Sequence, residues 1–156
     1  MTRIMFVCHG NICRSPMAEF VFKNMVAERG LSDEFFVRSS ATSTEEIYNG
    51  RGNPVYPPAR EELACHGISC DGKRAVQLKA SDYGEYDMFV GMDSYNIRNM
   101  KRILCGDPDG KISKLMDYTS RPGDVADPWY SDRFDIAYRD IYEGCAALLD
   151  FVLEEK

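Results

Sequence analysis

The residue types best suited to chemistry are Cys8 and Arg14, which are separated by five residues in the run Val7-Cys8-His9-Gly10-Asn11-Ile12-Cys13-Arg14-Ser15-Pro16. An apolar segment that predicts a buried strand precedes this run, and a helical pattern follows it. A loop at a strand–helix junction directs backbone N–H groups and the positive end of the helix dipole at its ligand, which favours an anion such as phosphate. The same field stabilises a thiolate at Cys8. A thiolate beneath a phosphate indicates phosphoryl transfer through a phosphocysteine.

The elements that must position this loop alternate along the chain. Four short apolar segments predict strands: 3–7, 35–39, 86–90 and, more weakly, 111–115. Helical spacing and turn signals predict four helices: from Pro16 to Gly30, from Pro57-Pro58 to His66-Gly67, from Asp93 or Ser94 onwards, and a long C-terminal helix with Ala137, Ile141, Cys145, Leu148 and Val152 on one face.

Strands that alternate with helices predict an α/β fold, a three-layer sandwich with a central four-stranded parallel sheet. Residues 1–156 fit a single domain of this kind. Ligands of such sheets bind beyond the carboxyl ends of the strands, where the phosphate-binding loop between the first strand and the first helix is expected. The stretches 41–58 and 104–130 are rich in Gly, Pro, Asn and Asp, and are long enough to form functional rims.

The overall composition limits the possible function classes. The formal net charge of -6 argues against non-specific nucleic-acid binding, which needs a basic surface. No apolar segment approaches membrane-spanning length, and residues 1–8 lack the apolar run and cleavage site of a signal peptide. We therefore expect a cytoplasmic protein with neither a nucleic-acid partner nor a membrane partner.

The six cysteines raise two alternatives. Disulfides are not favoured in a reducing cytosol. Two C-x4-C pairs, Cys8/Cys13 and Cys65/Cys70, each adjoin a histidine but do not form a recognisable zinc-finger pattern. Structural zinc is thus a minor alternative, and no metal site is predicted.

The run from Val7 to Pro16, together with Asp127-Pro128-Trp129-Tyr130 near the C-terminus, resembles the low-molecular-weight protein tyrosine phosphatases. Three further segments extend the resemblance over nearly the whole chain: Ser39-x-Ala41-Thr42-Ser43, His66-Gly67-Ile68 and Met92-Asp93-x-x-Asn96. The resemblance implies hydrolysis of phosphotyrosine proteins or aryl phosphates, with inorganic phosphate and other oxyanions as ligands. It implies no cofactor and no metal, since Arg14 and the loop amides supply the positive charge.

The resemblance assigns catalytic roles to three residues. Cys8 is the nucleophile, Arg14 forks two N–H groups onto phosphate oxygens, and Asp127 acts as general acid and then as general base. Pro128 keeps Asp127 in a loop. Taken alone, each of the three also has a structural explanation: a buried strand-end cysteine, a first-turn surface arginine and a solvent-exposed loop aspartate.

The resemblance also predicts that the residues of the loop line the phosphate site. These are His9, Gly10, Asn11, Ile12, Cys13 and Ser15. Ser15 is expected to donate a hydrogen bond to the nucleophilic sulfur, or to act as a plain helix N-cap. Asn11 is expected to brace the loop, held by Ser39 and His66, with Glu19 orienting the histidine. For Ser39 and His66 alone, ordinary strand-end and helix-end positions are the competing explanation.

Two aromatic residues, Trp129 and Tyr130, are predicted to form one wall of a slot deep enough for a phenyl ring, although plain packing also accounts for Tyr130. The opposite wall, which carries an aromatic residue in the family, is here Thr44-Glu45-Glu46-Ile47. Either Tyr48, in what reads as a short insertion, supplies the ring, or the slot is more open and acidic. Acidic phosphopeptides are then disfavoured. His9 adds charge if protonated or packs on the rim, and we favour the rim.

Cys13 lies in the family position of a partner cysteine, which predicts a reversible Cys8–Cys13 disulfide under oxidation. Three alternative functions are open. An arsenate reductase of the same fold would place further cysteines near the third strand, and 89–93 contains none. A non-catalytic phosphate-binding module would be expected to lack Cys8, Arg14 or Asp127, and a dithiol redox protein would use C-x-x-C spacing.

Overall fold

The computed structural model describes residues 1–155, and parallel strands form its centre. The strands are β1 (Thr2–Cys8), β2 (Phe35–Ala41), β3 (Ile47–Tyr48), β4 (Arg51–Gly52), β5 (Met88–Gly91) and β6 (Ile112–Lys114). The helices are α1 (Arg14–Glu28), α2 (Pro57–Cys65), α3 (Ser94–Ile103), α4 (Pro128–Ser131) and α5 (Phe134–Glu154). Short 3-10 segments lie at Ser32–Glu34, Ala80–Gly84 and Leu115–Tyr118. None of these helices has both the length and the apolar character of a membrane span.

The main sheet has the strand order β2-β1-β5-β6, and each neighbouring pair is parallel. β1 pairs with β2 along its whole length, so that Cys8 lies opposite Ala41 at the carboxyl edge. β3 and β4 form a separate antiparallel hairpin. The predicted α/β fold with a four-stranded parallel sheet is confirmed.

Both faces of β1 are buried, which explains its unbroken apolar sequence. Ile4 and Phe6 pack with the apolar residues of α1 and α5, whereas Met5 and Val7 belong to a second cluster with α3. Helices therefore cover the sheet on both sides, as the three-layer prediction requires. Because β1 is held from two sides, its last residue, Cys8, has a fixed position.

The junction between β1 and α1 is shorter than the sequence pattern predicts. β1 continues to Cys8, and α1 begins at Arg14 rather than at Pro16. Pro16 lies within the first turn of α1, where its missing N–H group needs no partner. The loop is thus bounded by the two residues singled out for chemistry, with Cys8 ending the strand and Arg14 opening the helix.

The β3–β4 hairpin lies in the stretch 41–58, which the sequence predicts only as a loop. Its turn residues Asn49 and Gly50 have φ angles of 50° and 76°. Two consecutive positive φ angles at Asn-Gly are typical of a two-residue type I′ turn. The apparent insertion around Tyr48 is therefore a short hairpin beside the phosphate-binding loop.

Candidate active site

The sulfur of Cys8 lies at the base of the loop that joins β1 to α1. Cys8 is 4% exposed, and three donors converge on its Sγ. The backbone N–H groups of Asn11 and Ser15 point at Sγ from 3.3 and 3.4 Å, and the Ser15 hydroxyl lies 3.0 Å away. These donors, together with the N-terminus of α1, stabilise negative charge on the sulfur.

The loop turns at Asn11, whose φ of 59° lies in the left-handed region that few non-glycine residues adopt. Its buried side chain is fixed by three hydrogen bonds. Nδ2 donates to Ser15 Oγ at 2.7 Å and to Ser39 Oγ at 3.0 Å, and Oδ1 accepts from the N–H of Val76 at 3.0 Å. Because Ser15 Oγ accepts from Asn11, its own proton is free to be donated to the Cys8 sulfur.

The carbonyl groups of the loop are engaged by the surrounding chain. The carbonyl oxygens of Cys8, His9 and Ile12 accept hydrogen bonds at 2.9–3.0 Å from the backbone N–H groups of Thr42, Ser43 and Tyr56. With these carbonyl oxygens held by the surrounding chain, the N–H groups of Asn11 and Ser15 point inward to the sulfur. Successive N–H groups that face one point are typical of an anion-binding concavity.

The guanidinium of Arg14 is buried and held from two directions. Nη1 donates to Asp93 Oδ2 at 2.9 Å and to the carbonyl oxygen of Val125 at 3.3 Å, while Nη2 lies 3.6 Å from Asp127 Oδ2. Burial alone would lower the pKa of Arg14, but the negative charges of Cys8, Asp127 and Asp93 outweigh it and raise that pKa above its ordinary value. Arg14 is therefore a permanent cation beside the thiol.

Asp93 is a site residue that the sequence analysis did not assign. It is the N-cap of α3, where Oδ1 accepts from the N–H of Asn96 at 2.8 Å, while Oδ2 holds Arg14. The spacing Asp93-x-x-Asn96 is a capping-box pattern and predicts the helix start. Nothing in that local pattern indicates that the second carboxylate oxygen reaches Arg14 on another element.

Asp127 is the N-cap of α4, so that its carboxylate has a defined orientation. Oδ1 accepts from the N–H of Trp129 at 3.0 Å, which leaves Oδ2 directed toward Arg14. The side chain is 36% exposed and remains open to a ligand in the cavity. The three residues predicted to be catalytic are thus brought together from β1, α1 and the start of α4.

These residues line a cavity of about 840 Å³. Most of the predicted binding residues line it as well: His9, Gly10, Ile12, Cys13, Trp129 and Tyr130. Trp129 and Tyr130 are 56% and 86% exposed, so they border the cavity mouth rather than pack in the core. Tyr95 and Asn99 on α3 also line the cavity and were not predicted.

Two acidic side chains line the cavity. They are Glu45 and Glu46, which precede β3. The imidazole Nε2 of His9 lies 3.1 Å from Glu45 Oε2, and both side chains are more than half exposed. His9 therefore lies on the rim, as the sequence analysis favoured, and is engaged by a carboxylate there. Glu46 lies against Gly10, where a Cβ atom would approach its Cγ to 3.3 Å.

The expectation that Tyr48 supplies an aromatic wall is wrong. Tyr48 is 67% exposed and is not among the residues that line the cavity. Its neighbour Ile47 packs against the core, and successive side chains of a strand point in opposite directions. The hairpin therefore turns Tyr48 outward, while Glu45 and Glu46 line the cavity.

The expected contact between His66 and Asn11 is also wrong. His66 follows α2, where its Nε2 lies 3.0 Å from Glu62 Oε2 and its ring stacks on Tyr138 at 3.8 Å. The helical spacing of four residues and the adjacent aromatic ring account for this placement. Ser39 does contact Asn11, and Glu19 accepts from Ser39 Oγ at 2.6 Å rather than orienting a histidine.

The remaining cysteines lie outside this site. Cys8 and Cys13 line the cavity, whereas Cys65, Cys70, Cys105 and Cys145 do not. Burial raises the pKa of Cys13 to about 12, and the nearby charges of Cys8 and Asp127 add to the effect. Cys13 is consequently a protonated thiol at neutral pH, which leaves Cys8 as the nucleophile candidate. Within residues 1–155 no group of three or more His, Cys, Asp or Glu residues is arranged to hold a metal ion.

Known proteins resemble this chain along its whole length. A family model described as low molecular weight phosphotyrosine protein phosphatase matches residues 3–156. The low molecular weight protein-tyrosine-phosphatase YfkJ of Bacillus subtilis is 35% identical, over 100% of this chain and 99% of that protein. The protein-tyrosine-phosphatase PtpA of Staphylococcus aureus is 32% identical, over 99% and 96%.

Solved structures give the same result. The crystal structure of YfkJ matches with a TM-score of 0.92 at 34% identity, covering 100% of this chain and 97% of that one. The structure of SP-PTP, a low molecular weight protein tyrosine phosphatase from Streptococcus pyogenes, has a TM-score of 0.84 at 37% identity, with coverages of 96% and 92%.

Proposed function

The chain belongs to the low molecular weight protein-tyrosine-phosphatase family, and we propose that it hydrolyses phosphotyrosine and small aryl phosphates through a phosphocysteine on Cys8. One observation carries the proposal. A sulfur surrounded by three donors, a buried guanidinium and a partly exposed carboxylate line the same cavity. These are the nucleophile, the charge clamp and the proton donor that transfer of a phosphoryl group requires.

In the first step the Cys8 thiolate attacks phosphorus, an S–P bond forms and the bond from phosphorus to the aryl oxygen breaks. Asp127 gives its proton to that oxygen, so that a phenol rather than a phenolate leaves. Arg14 and the loop amides bind the equatorial oxygens more tightly as charge develops on them. The hydrogen bond from Nη1 to Asp93 fixes the plane of the guanidinium and supports this role.

In the second step the Asp127 carboxylate takes a proton from water, and the water oxygen attacks phosphorus. The S–P bond breaks, inorganic phosphate forms, and the electron pair returns to Cys8 as thiolate. The hydroxyl of Ser15 and the N–H groups of Asn11 and Ser15 stabilise that leaving thiolate. Asp127 ends the cycle protonated, as it began.

The substrate class follows from the walls of the cavity. Trp129, Tyr130 and Tyr95 present ring surface at the mouth, which suits a phenyl ring with its phosphate on the loop. Glu45 and Glu46, which line the same cavity, repel acidic groups beside the phosphotyrosine. We infer that phosphotyrosine with neutral or basic neighbours is preferred over acidic phosphopeptides.

A redox role for Cys13 belongs to the same proposal. Peroxide oxidises the Cys8 thiolate to a sulfenic acid, and the Cys13 sulfur then displaces water from it to form a disulfide. Loss of the Cys8 negative charge in the first step removes one of the effects that raise the pKa of Cys13.

The proposal is tested by metal-free hydrolysis of para-nitrophenyl phosphate at mildly acidic pH, with wild type beside Cys8→Ser. Turnover by wild type that is lost in the variant supports it, while both proteins should still bind inorganic phosphate. If folded, reduced wild type shows no turnover, the proposal fails. Thiol-dependent reduction of arsenate, measured on the same sample, then decides between a reductase and a phosphate-binding module.

A further inference from the structure

A buried ammonium group lies beside the hydrogen-bond network that reaches Cys8, and the catalytic scheme above does not use it. The Nζ atom of Lys73 donates to the carbonyl oxygen of Ser39 at 2.9 Å and lies 3.7 Å from Glu19 Oε1. Only 9% of the Lys73 side chain is exposed. Burial lowers the pKa of Lys73, and the charge of Glu19 opposes that effect. A buried lysine of this kind needs a charged partner, which Glu19 provides.

The hydrogen bonds between Glu19 and Cys8 form one continuous network, in which each side chain holds the next in place. An ionised carboxylate only accepts, so the Ser39 hydroxyl donates to Glu19 Oε1. Ser39 Oγ is then the acceptor for one proton of Asn11 Nδ2, and Ser15 Oγ is the acceptor for the other. The one remaining proton, on the Ser15 hydroxyl, points to the Cys8 sulfur.

The network is buried from end to end. Asn11, Ser15, Ser39 and Glu19 are each no more than 2% exposed. Water therefore does not supply alternative partners, and reversal of one hydrogen bond would leave a buried group unsatisfied. A displacement of Glu19 or Ser39 would thus be passed along the network to the Ser15 hydroxyl beside Cys8.

Two lysines contact Glu19, but they contact different oxygens. Lys23 Nζ lies 2.5 Å from Oε2, and its side chain is 35% exposed. Lys73 faces Oε1, which is the oxygen that accepts from Ser39. The segment that carries Lys73 also supplies the Val76 N–H group that holds Asn11 Oδ1. Lys73 therefore acts on the network from a fixed and poorly solvated position, where charges interact more strongly than at the surface.

We propose that Lys73 is a positioning residue, whose ammonium anchors one end of this network and thereby holds the Ser15 hydroxyl where it donates to the Cys8 thiolate. Lys73 touches neither the substrate nor the reacting atoms and acts through the side chains between it and Cys8. The inference rests on the proposed function of Cys8 as a nucleophile. It predicts an effect on the ionisation of Cys8 as well as on turnover.

The experiment compares Lys73→Met, Lys73→Arg and the matched control Lys23→Met. The first readout is the pH dependence of Cys8 alkylation by iodoacetate, located by fragment-ion mass spectrometry so that Cys13 is distinguished. The second is kcat and KM for para-nitrophenyl phosphate across the same pH range. Thermal unfolding identifies folded variants. If Lys73→Met does not fold, Lys73→Gln, which can donate to the Ser39 carbonyl without charge, replaces it.

In Lys73→Met the alkylation profile and the acidic limb of kcat/KM should both move to higher pH, and kcat should fall about tenfold, the size expected when one hydrogen bond to a charged group is weakened. Lys73→Arg should restore both, and Lys23→Met should resemble wild type. Unchanged profiles in Lys73→Met, or equal changes in Lys73→Met and Lys23→Met, overturn the inference. Alkylation does not require turnover and therefore tests the role of Lys73 even if wild type is inactive. An inactive wild type would refute the proposed function alone.

Discussion

The contact between Asp93 and Arg14 is not indicated by the local sequence, and it leads to a prediction for the substitution Asp93→Asn. In Asp93→Asn the side chain keeps its size, but one of its two acceptor oxygens becomes an NH₂ group. Asp93 Oδ2 serves Arg14 and Oδ1 serves the N–H of Asn96, and both partners are donors. An amide can satisfy only one of them. Asn is as good an N-cap as Asp, so the oxygen can remain with α3 and the NH₂ group then faces the guanidinium.

The magnitude follows from what remains around Arg14. Its other anchors are longer, at 3.3 Å to the carbonyl oxygen of Val125 and 3.6 Å to Asp127 Oδ2. Loss of a hydrogen bond between charged groups costs about 1.5–3 kcal/mol, which corresponds to a loss of kcat/KM of about 10- to 160-fold. Because Arg14 binds most tightly in the transition state, kcat should fall by more than KM rises.

The assay is steady-state hydrolysis of para-nitrophenyl phosphate, with a thermal melt to verify that each variant is folded. Asp124→Asn is the matched control, since Asp124 also lines the cavity but pairs with Lys114 at 3.0 Å instead of Arg14. Asp124 is half exposed and does not contact Arg14, so the control should change kcat/KM by less than about twofold. A folded Asp93→Asn with wild-type kcat/KM would refute the view that Asp93 positions Arg14.

Three further predictions concern the catalytic residues themselves. Asp127→Asn should lower turnover of phenyl phosphate, which has a poor leaving group, by about 100-fold or more and that of para-nitrophenyl phosphate far less; equal losses would exclude Asp127 as the general acid. Arg14→Lys should not restore activity, with kcat/KM at least about 100-fold below wild type, because a point charge cannot replace the two-pronged donor; near-normal kinetics would contradict this. Peroxide inactivation of wild type should be reversed by thiols, whereas Cys13→Ala should recover poorly after long exposure; equal recovery would remove the protective role of Cys13.

The parts of the site that lie within one local pattern could be predicted from the sequence. The strand, loop and helix around Cys8 and Arg14 form one continuous segment, and hydrophobic periodicity indicates both flanking elements. The sequence predicts only a loop at Asp127, and the short helix α4 that Asp127 caps was not predicted. The structure starts α1 at Arg14 rather than at the predicted Pro16, because proline is allowed at other positions of the first turn as well as the first.

The parts that depend on contacts between distant elements could not be predicted. Asp93 reads as a helix cap, and its second oxygen reaches Arg14 only because β5 lies beside β1 in the sheet. Lys73 and His66 are close in sequence, but the fold takes Lys73 to Glu19 and His66 to Tyr138. The prediction that Tyr48 lines the slot was wrong because the sequence of a two-residue strand does not show which side chain points inward. That direction is fixed only when the pairing of the strand is known.

The most direct test of the account is to trap the covalent intermediate. Wild-type enzyme turning over para-nitrophenyl phosphate is quenched rapidly and digested, and fragment-ion mass spectrometry locates the phosphoryl group. The account predicts phosphate on the sulfur of Cys8 and none in Cys8→Ser. A phosphoryl group on His9 or Cys13, or turnover without any phosphorylated cysteine in a sample that shows a burst of para-nitrophenol, would contradict it.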